Sequence, residues 1–305
     1  MSTAVAPVRP PLLGGLALAM AGSIAFSGKA IIVKLAYRYG VDAVTLIMLR
    51  MLFALPFFLL IAYRGSRSRD GVAAPALTRR DLLGVLGLGI TGYYLASYLD
   101  FAGLAYVSAS LERLILYLNP TLVLLLGLLL YGKRIGRAQA LGMLISYGGV
   151  LLVFGHEVTL AGADVAWGTL LVLLSAISYA VYLSYSGELV QRLGSLRLAG
   201  LATSVACVLC IGQFLLARPL SLAFAVAPQV VWLSLLNATA CTVVPVLLVM
   251  MGIERIGAGL VAQVGMVGPM STITMGVLIL GEPFNTWVLA GSVLVFAGVY
   301  VCSRR

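Results

Sequence analysis

Five ionisable side chains stand inside apolar surroundings: Lys29 in "SGKAIIV", Arg50 in "IMLRMLF", Asp100 in "SYLDFAG", and Glu112 with Arg113 in "SLERLIL". Charges of both signs in one apolar setting suit two kinds of chemistry. They can pair with each other as a structural network, or they can hold a solute that carries both charges, with Lys29 meeting a carboxylate and Glu112 an ammonium. An unpaired charge at the centre of a membrane helix costs about 2.5–3.5 kcal/mol on insertion scales, so such groups face a partner or water. Glu112 is the best candidate for a proton-coupling site, whereas Asp100 and Arg113 lie nearer the ends of their apolar runs and read as structural.

A second group of residues carries hydroxyls on aromatic rings. "SAISYAVYLSYSGE" sets Ser175, Ser178, Tyr182 and Tyr185 along one helical face, with Tyr179 and Ser186 beside it. Thr91, Tyr94, Ser97, Tyr98 and Phe101 repeat the theme upstream. Such a face suits a partly wet cavity better than lipid tails. Interfacial anchoring is the competing reading, strongest for Tyr185. Tyr117, Asn119, Asn237, Thr242 and Gln263 add further polar groups within apolar runs, where hydrogen bonds between helices compete with substrate contact. The candidate substrate-binding set is Lys29, Tyr94, Tyr98, Glu112, Tyr117, Asn119, Tyr179, Tyr182, Asn237 and Gln263.

Catalytic and cofactor motifs fail on context. "GLGITG" (Gly87 to Gly92) fits G-x-G-x-x-G, but no strand precedes it. "GSIAFSGKA" has five residues between its glycines where a phosphate-binding loop has four, and Ala30 stands where Ser or Thr must reach magnesium. "CVLC" (Cys207 to Cys210) has redox or zinc spacing without a basic or histidine neighbour, and reads as apolar packing with Cys241 and Cys302. One histidine, His156, placed in a loop, cannot build a metal centre or a triad alone. No enzyme, cofactor or metal is expected.

The elements that must position these groups follow from composition. Of 305 residues 62% are hydrophobic and only 10% charged, with mean hydropathy +1.09, far from a soluble domain that is about a quarter charged. Apolar runs of about 20 residues recur, each long enough as a helix to cross a hydrocarbon core about 30 Å thick. They are Leu12–Val33, Ala43–Tyr63, Leu82–Gly103, Ala109–Tyr131, Ala138–Phe154, Ala166–Gly187, Leu198–Ala217, Val230–Met251, Ala258–Leu280 and Thr286–Cys302. Runs such as "LVLLLGLLLY" do not alternate as barrel strands do. The expected class is an all-α integral membrane protein of ten transmembrane helices.

The formal charge of +10 is distributed by side. With the N-terminus inside, fourteen Lys and Arg fall in cytoplasmic segments, among them Arg64, Arg67, Arg79, Arg80, Arg134 and Arg137. Lys34, Arg38 and Arg218 alone fall outside. The positive-inside rule then places both termini in the cytoplasm. Basic residues serve as topology signals and lipid-headgroup contacts, and no nucleic-acid partner is expected. In that orientation Lys29, Asp100 and Glu112 share a layer roughly 10 Å above the midplane, at 1.5 Å rise per residue.

"NPTLVLLLGLLLYGK" and "GPMSTITMGVLILGE" carry the same punctuation. Pro120 and Pro269 are 149 residues apart, and the same offset joins Gly103 to Gly252, Gly127 to Gly276, Gly132 to Gly281, Gly142 to Gly291 and Gly149 to Gly298. Five helices per half is an odd number, so the second half must enter from the opposite side. The expected organisation is two inverted five-helix repeats, 12–155 and 166–302, with an external link 156–165 and cytoplasmic ends 1–11 and 303–305. Such repeats commonly hold a substrate near the midplane between them. Pro120 and Pro269, each removing a backbone hydrogen bond in an equivalent helix, are candidate hinges.

These two stretches, extended to "YGKRIGRAQALGMLISYGGVLLV" and "LGEPFNTWVLAGSVLVFAGVYV", resemble the drug/metabolite transporter superfamily, in particular its ten-helix EamA-type branch. The resemblance spans both halves. "LGEP" at Leu280–Pro283 fits the family pattern, whereas "YGKR" puts Lys133 where the family usually has Glu. It implies a secondary transporter of small metabolites in the plasma (bacterial inner) membrane, and the tyrosine-rich helices look most like the amino-acid exporters. Partners would be the small-molecule substrate and membrane lipid, with the chain a monomer or homodimer. A nucleotide-sugar or lipid-linked-substrate carrier and a nontransporting scaffold stay open as alternatives.

Overall fold

The structure is a computed structural model, and it describes residues 12–67, 75–132, 134–256, 260–261, 264–265 and 267–303. Among these residues the secondary structure is helical, without strands. Eight helices are long and apolar enough to cross a membrane: α1 (Leu12–Tyr37), α2 (Ala43–Gly65), α3 (Arg79–Leu104), α4 (Ala109–Leu130), α5 (Arg137–Leu160), α6 (Asp164–Leu193), α7 (Ser195–Ala217) and α8 (Pro228–Ile253). Two shorter apolar helices follow, α9 (Val267–Leu280) and α10 (Thr286–Cys302). Leu129, Leu144, Leu151, Leu216 and Leu278 stand exposed on the exterior. An apolar exterior of this extent is what lipid tails contact and water does not tolerate. The chain is an all-α, multi-pass integral membrane protein.

Polar residues set the helix ends. Asp42 caps α2 by accepting from the amides of Val44 and Thr45, and Thr78 caps α3 in a reciprocal box with Asp81. Gly132 and Gly281, matched by the 149-residue offset, both adopt left-handed backbone (φ 61° and 74°) where α4 and α9 end. A side chain is strained in that conformation, which is why glycine ends both helices.

Several helices depart from regular α geometry where the sequence gives a reason. α8 widens into a π turn over Thr239–Val243, directly before Pro245. Proline cannot donate to the Cys241 carbonyl and its ring would crowd that group, so the extra residue relieves both problems. α3 carries a π turn at the corresponding place, Gly89–Leu95. α4 is broken at Tyr117–Leu118, and Pro120 sits in the first turn of the helix that resumes at Asn119. There its missing N–H costs little, so the interruption precedes the proline instead of kinking a continuous helix about it. Pro120 is exposed, whereas Pro269 is buried.

One expected loop is helical. α5 continues as helix through His156 to Ala161 and α6 begins at Asp164, so His156 lies on a helix. Hydropathy ends the run at Phe154, but the polar residues beyond it have partners: Glu157 accepts from Ser108, and His156 hydrogen-bonds Asn285 at 2.8 Å and stacks on Trp287.

Packing is reciprocal. α2 lies along α7 and α5 along α10, while α1 packs on α8 and α9 and α6 packs on α3 and α4. The α5–α10 pair meets through glycines. A Cβ on Gly142 would lie 2.5 Å from the Gly298 carbonyl oxygen, and one on Gly149 would lie 2.7 Å from that of Gly291. Only glycine permits this approach of two backbones.

Candidate binding cavity

Between the helices lies a cavity of about 530 Å³ with walls from α1, α2, α3, α4, α6, α7, α8 and α9. Its aromatic wall consists of Phe26, Phe58, Tyr93, Tyr117, Tyr179 and Tyr182. Tyr93 meets Tyr182 edge to face (centroids 5.2 Å apart) with their hydroxyls 3.2 Å apart, and Tyr179 stacks on Tyr182 at 5.4 Å. Tyr117 packs edge to face on Phe296 at 5.2 Å. Rings held by rings form a rigid surface with few rotamers to lose on binding.

Lys29, Arg50, Asp100 and Arg113 also line the cavity, and Glu112 is fully buried behind Lys29. Lys29 Nζ sits 2.6 Å from Asp100 Oδ2 and 3.9 Å from Glu112 Oε1, and Arg113 Nε is 4.0 Å from Glu112 Oε2. Lys29, Asp100, Glu112 and Arg113 therefore converge, and Arg50 lines the same cavity. Opposite charges at these distances interact strongly because little water screens them. Asp100 Oδ1 and both Glu112 carboxylate oxygens lack hydrogen-bond partners among the described residues.

The sequence-derived tyrosine face of α3 is displaced by one position. Gly92, Tyr93, Ala96, Ser97 and Asp100 face the cavity, while Tyr94 and Tyr98 pack against the apolar cluster of Ala30, Met51 and Cys207. Residues 93, 96, 97 and 100 and residues 94, 97, 98 and 101 have the same spacing of one helical face, so periodicity alone does not choose between these two adjacent faces. On α6, Ser175 and Ser178 donate to the carbonyls of Ala96 and Thr91, at 2.6 and 2.7 Å. These hydroxyls tie α6 to the irregular part of α3.

Among the remaining candidates, Asn119 lines the cavity and donates to the Leu116 carbonyl at 2.6 Å, bridging the break in α4. Asn237 is buried in α8, with both amide atoms unpaired among the described residues, and is not part of the wall. Pro269 lines the cavity and Pro120 does not. Gln263 and Lys133 lie outside the described residues. Tyr93, Phe26 and Phe58 belong to the wall without having stood out in sequence.

Beyond the charged cluster lies a layer of polar contacts, which borders a second cavity of about 570 Å³ lined by Lys34, Tyr37, Glu157 and Glu282. Lys34 donates to the carbonyls of Leu104 and Val107, and Tyr37 to that of Phe101. Glu282 accepts from the backbone amides of Ala109 (2.6 Å) and Ser110 (3.2 Å) at the start of α4, where a carboxylate is favoured by the helix dipole. Arg38 donates to the Leu280 carbonyl at 2.8 Å. The opposite end of the cavity reaches Ser195 and Leu198, at the start of α7.

A helical membrane protein whose interior holds a cavity rich in rings and charges has the makings of a solute carrier. The chain belongs to the EamA-like transporter family, whose model matches it twice, over residues 13–155 and 166–304. It is 32% identical over 280 residues to YcbK of Bacillus subtilis (strain 168), described as an uncharacterized transporter, covering 88% of this chain and 86% of that one. An uncharacterized transporter of Archaeoglobus fulgidus is 24% identical over 296 residues, covering 94% and 98%. A solved crystal structure shares the fold with TM-score 0.62 at 18% identity, covering 95% of both chains. Family and relatives together make this a membrane transporter of small molecules.

Proposed function

We propose that the chain is a secondary transporter of the plasma membrane that exports amino acids, aromatic or large apolar ones among them, by alternating access. The observation that carries the reading is the cavity itself, with a wall of Tyr93, Tyr117, Tyr179 and Tyr182 beside a layer of both charge signs. An amino acid presents the matching groups: an apolar or aromatic side chain, a carboxylate and an ammonium.

Alternating access rests on two inverted repeats, which the packing supports. Exchanging α1–α5 with α6–α10 turns the α1–α8 contact into α6–α3 and the α1–α9 contact into α6–α4, and returns α2–α7 and α5–α10 to themselves. The glycine contacts 142–298 and 149–291 exchange in the same way. With the charge bias placing the start of α7 in the cytoplasm, the cavity faces inward and the Lys34–Glu157–Glu282 layer, which lines a second cavity, is the candidate outer gate.

Purified protein in liposomes, offered labelled phenylalanine, leucine, a uridine-diphosphate sugar and a lipophilic cation, tests the reading. Saturable flux of the amino acids is expected. Flux of the sugar nucleotide alone refutes it.

A further inference from the structure

Arg50 and Arg113 share an arrangement that the pairing of Lys29 does not explain. Each reaches from the first half of the chain to a threonine of the second: Arg50 Nε donates to Thr242 Oγ1 at 3.1 Å, and Arg113 Nε donates to Thr272 Oγ1 at 3.0 Å. Arg50 also lies over the Phe101 ring, 5.2 Å from its centroid. Anchoring Nε fixes the plane of a guanidinium and leaves its terminal nitrogens to other acceptors. In each case one of them, Arg50 Nη1 and Arg113 Nη2, is buried without a hydrogen-bond partner among the described residues. Both side chains line the cavity, and Arg50 is only 5% exposed.

Charge points the same way. Lys29 already has Asp100 at 2.6 Å, and Glu112 is shared between Lys29 at 3.9 Å and Arg113 at 4.0 Å. Three cations, Lys29, Arg50 and Arg113, then stand against two carboxylates, Asp100 and Glu112. Buried donors without acceptors are costly and a buried unpaired cation more so, unless a ligand supplies the missing group. Arginine forks match carboxylates in shape as well as charge.

We propose that Arg50 and Arg113 form a carboxylate-binding subsite of the cavity, and that Thr242 and Thr272 position them. The transported molecule is thereby required to carry a carboxylate, whereas Lys29 is a structural counter-ion held by Asp100. Because the arginines come from α2 and α4 and the threonines from α8 and α9, a bound carboxylate ties the two halves together at the depth of the charged layer. The subsite rests on the same cavity as the proposed transport function but does not depend on the substrate being an amino acid.

The test is a binding panel on the protein in lipid nanodiscs at neutral pH, read by calorimetry. The four probes are L-phenylalanine, 3-phenylpropionate, L-phenylalaninamide and 2-phenylethylamine, which separate the carboxylate from the amine on one ring. Both carboxylates should bind at least about tenfold more tightly than the amide and the amine, the scale of one charge-assisted contact. Arg50→Gln and Arg113→Gln should each abolish the preference for acid over amide, and Arg113→Lys should restore part of it. The wild-type panel needs no variant to fold. Equal affinity for phenylalanine and its amide, no binding of either carboxylate, or an acid preference that survives in both glutamine variants overturns the proposal. Amino-acid flux with that preference intact in both variants would leave the transport reading standing without the subsite. Arginine-dependent binding of 3-phenylpropionate without amino-acid flux would do the reverse.

Discussion

Removing either partner of the Lys29–Asp100 pair should destabilise the protein, and the two removals should differ in size for a reason visible in the geometry. The pair is 2.6 Å long, with side chains 14% and 2% exposed. Breaking a buried pair by deleting one partner costs about 3–5 kcal/mol because the survivor stays buried and uncompensated. Asp100→Asn leaves Lys29 with Glu112 at 3.9 Å and some access to cavity water, which places it near the low end, about 3 kcal/mol. Lys29→Met leaves Asp100 almost wholly buried with no cation in contact among the described residues, which places it near the high end, about 5 kcal/mol. The double variant removes both charges. Its cost should fall short of the sum of the singles, about 8 kcal/mol, by about 3 kcal/mol, which leaves it near that of Lys29→Met alone. Unfolding in mixed micelles with rising fractions of denaturing detergent measures all four proteins on one scale. Additive losses would refute the pairing, and a larger loss for Asp100→Asn than for Lys29→Met would refute the assignment of Glu112 as the reserve partner.

Three further outcomes follow from the same structure. Tyr93→Ala should raise the half-saturating substrate concentration in liposome flux by about tenfold, the scale of a lost ring contact; Tyr94→Ala should change it less than twofold, and the opposite order would restore the sequence-derived face. Gly142→Ala, whose Cβ would sit 2.5 Å from the Gly298 carbonyl oxygen, should destabilise by about 1–3 kcal/mol. Gly148→Ala, with open space around it, should be neutral or slightly stabilising in the same unfolding assay. Glu282→Gln should loosen the outer closure, since it removes a charged acceptor worth up to about 2 kcal/mol from the start of α4; a cysteine at the buried Ala109 should then react faster with an impermeant maleimide added outside, and an unchanged rate would exclude Glu282 from the gate.

Apolar runs place the helices well because membrane insertion is decided by local composition, and all ten runs lie largely within helices wherever the residues are described. Helix ends are less legible. The run ending at Phe154 misses the helical stretch through Ala161, because hydropathy does not register that Glu157 and His156 have partners on other helices, in Ser108 and Asn285. Glycine spacing carries tertiary information more directly: Gly142, Gly149, Gly291 and Gly298 stand out in sequence by their offset, and they are the residues across which α5 and α10 touch.

Side-chain direction is where sequence reading is weakest, and α3 shows the physical cause. Residues 93, 96, 97 and 100 and residues 94, 97, 98 and 101 both fit a count of 100° per residue, and the count does not say which neighbours either face will meet. Asp100 nevertheless meets Lys29, because its position was inferred from depth alone. The tyrosines were inferred from the face, and there Tyr93 replaces Tyr94 and Tyr98 at the wall. Depth thus follows from the position of a residue along its apolar run, while azimuth is decided by the neighbouring helices. In this chain that distinction separates the charged layer, which sequence anticipates, from the α3 part of the aromatic wall, which it assigns to neighbouring residues, whereas Tyr117, Tyr179 and Tyr182 stand both in the sequence-derived set and at the wall. The turn in α8 at Thr239–Val243 carries Thr242, which accepts from Arg50, so an irregular turn that hydropathy does not register helps to build the cavity.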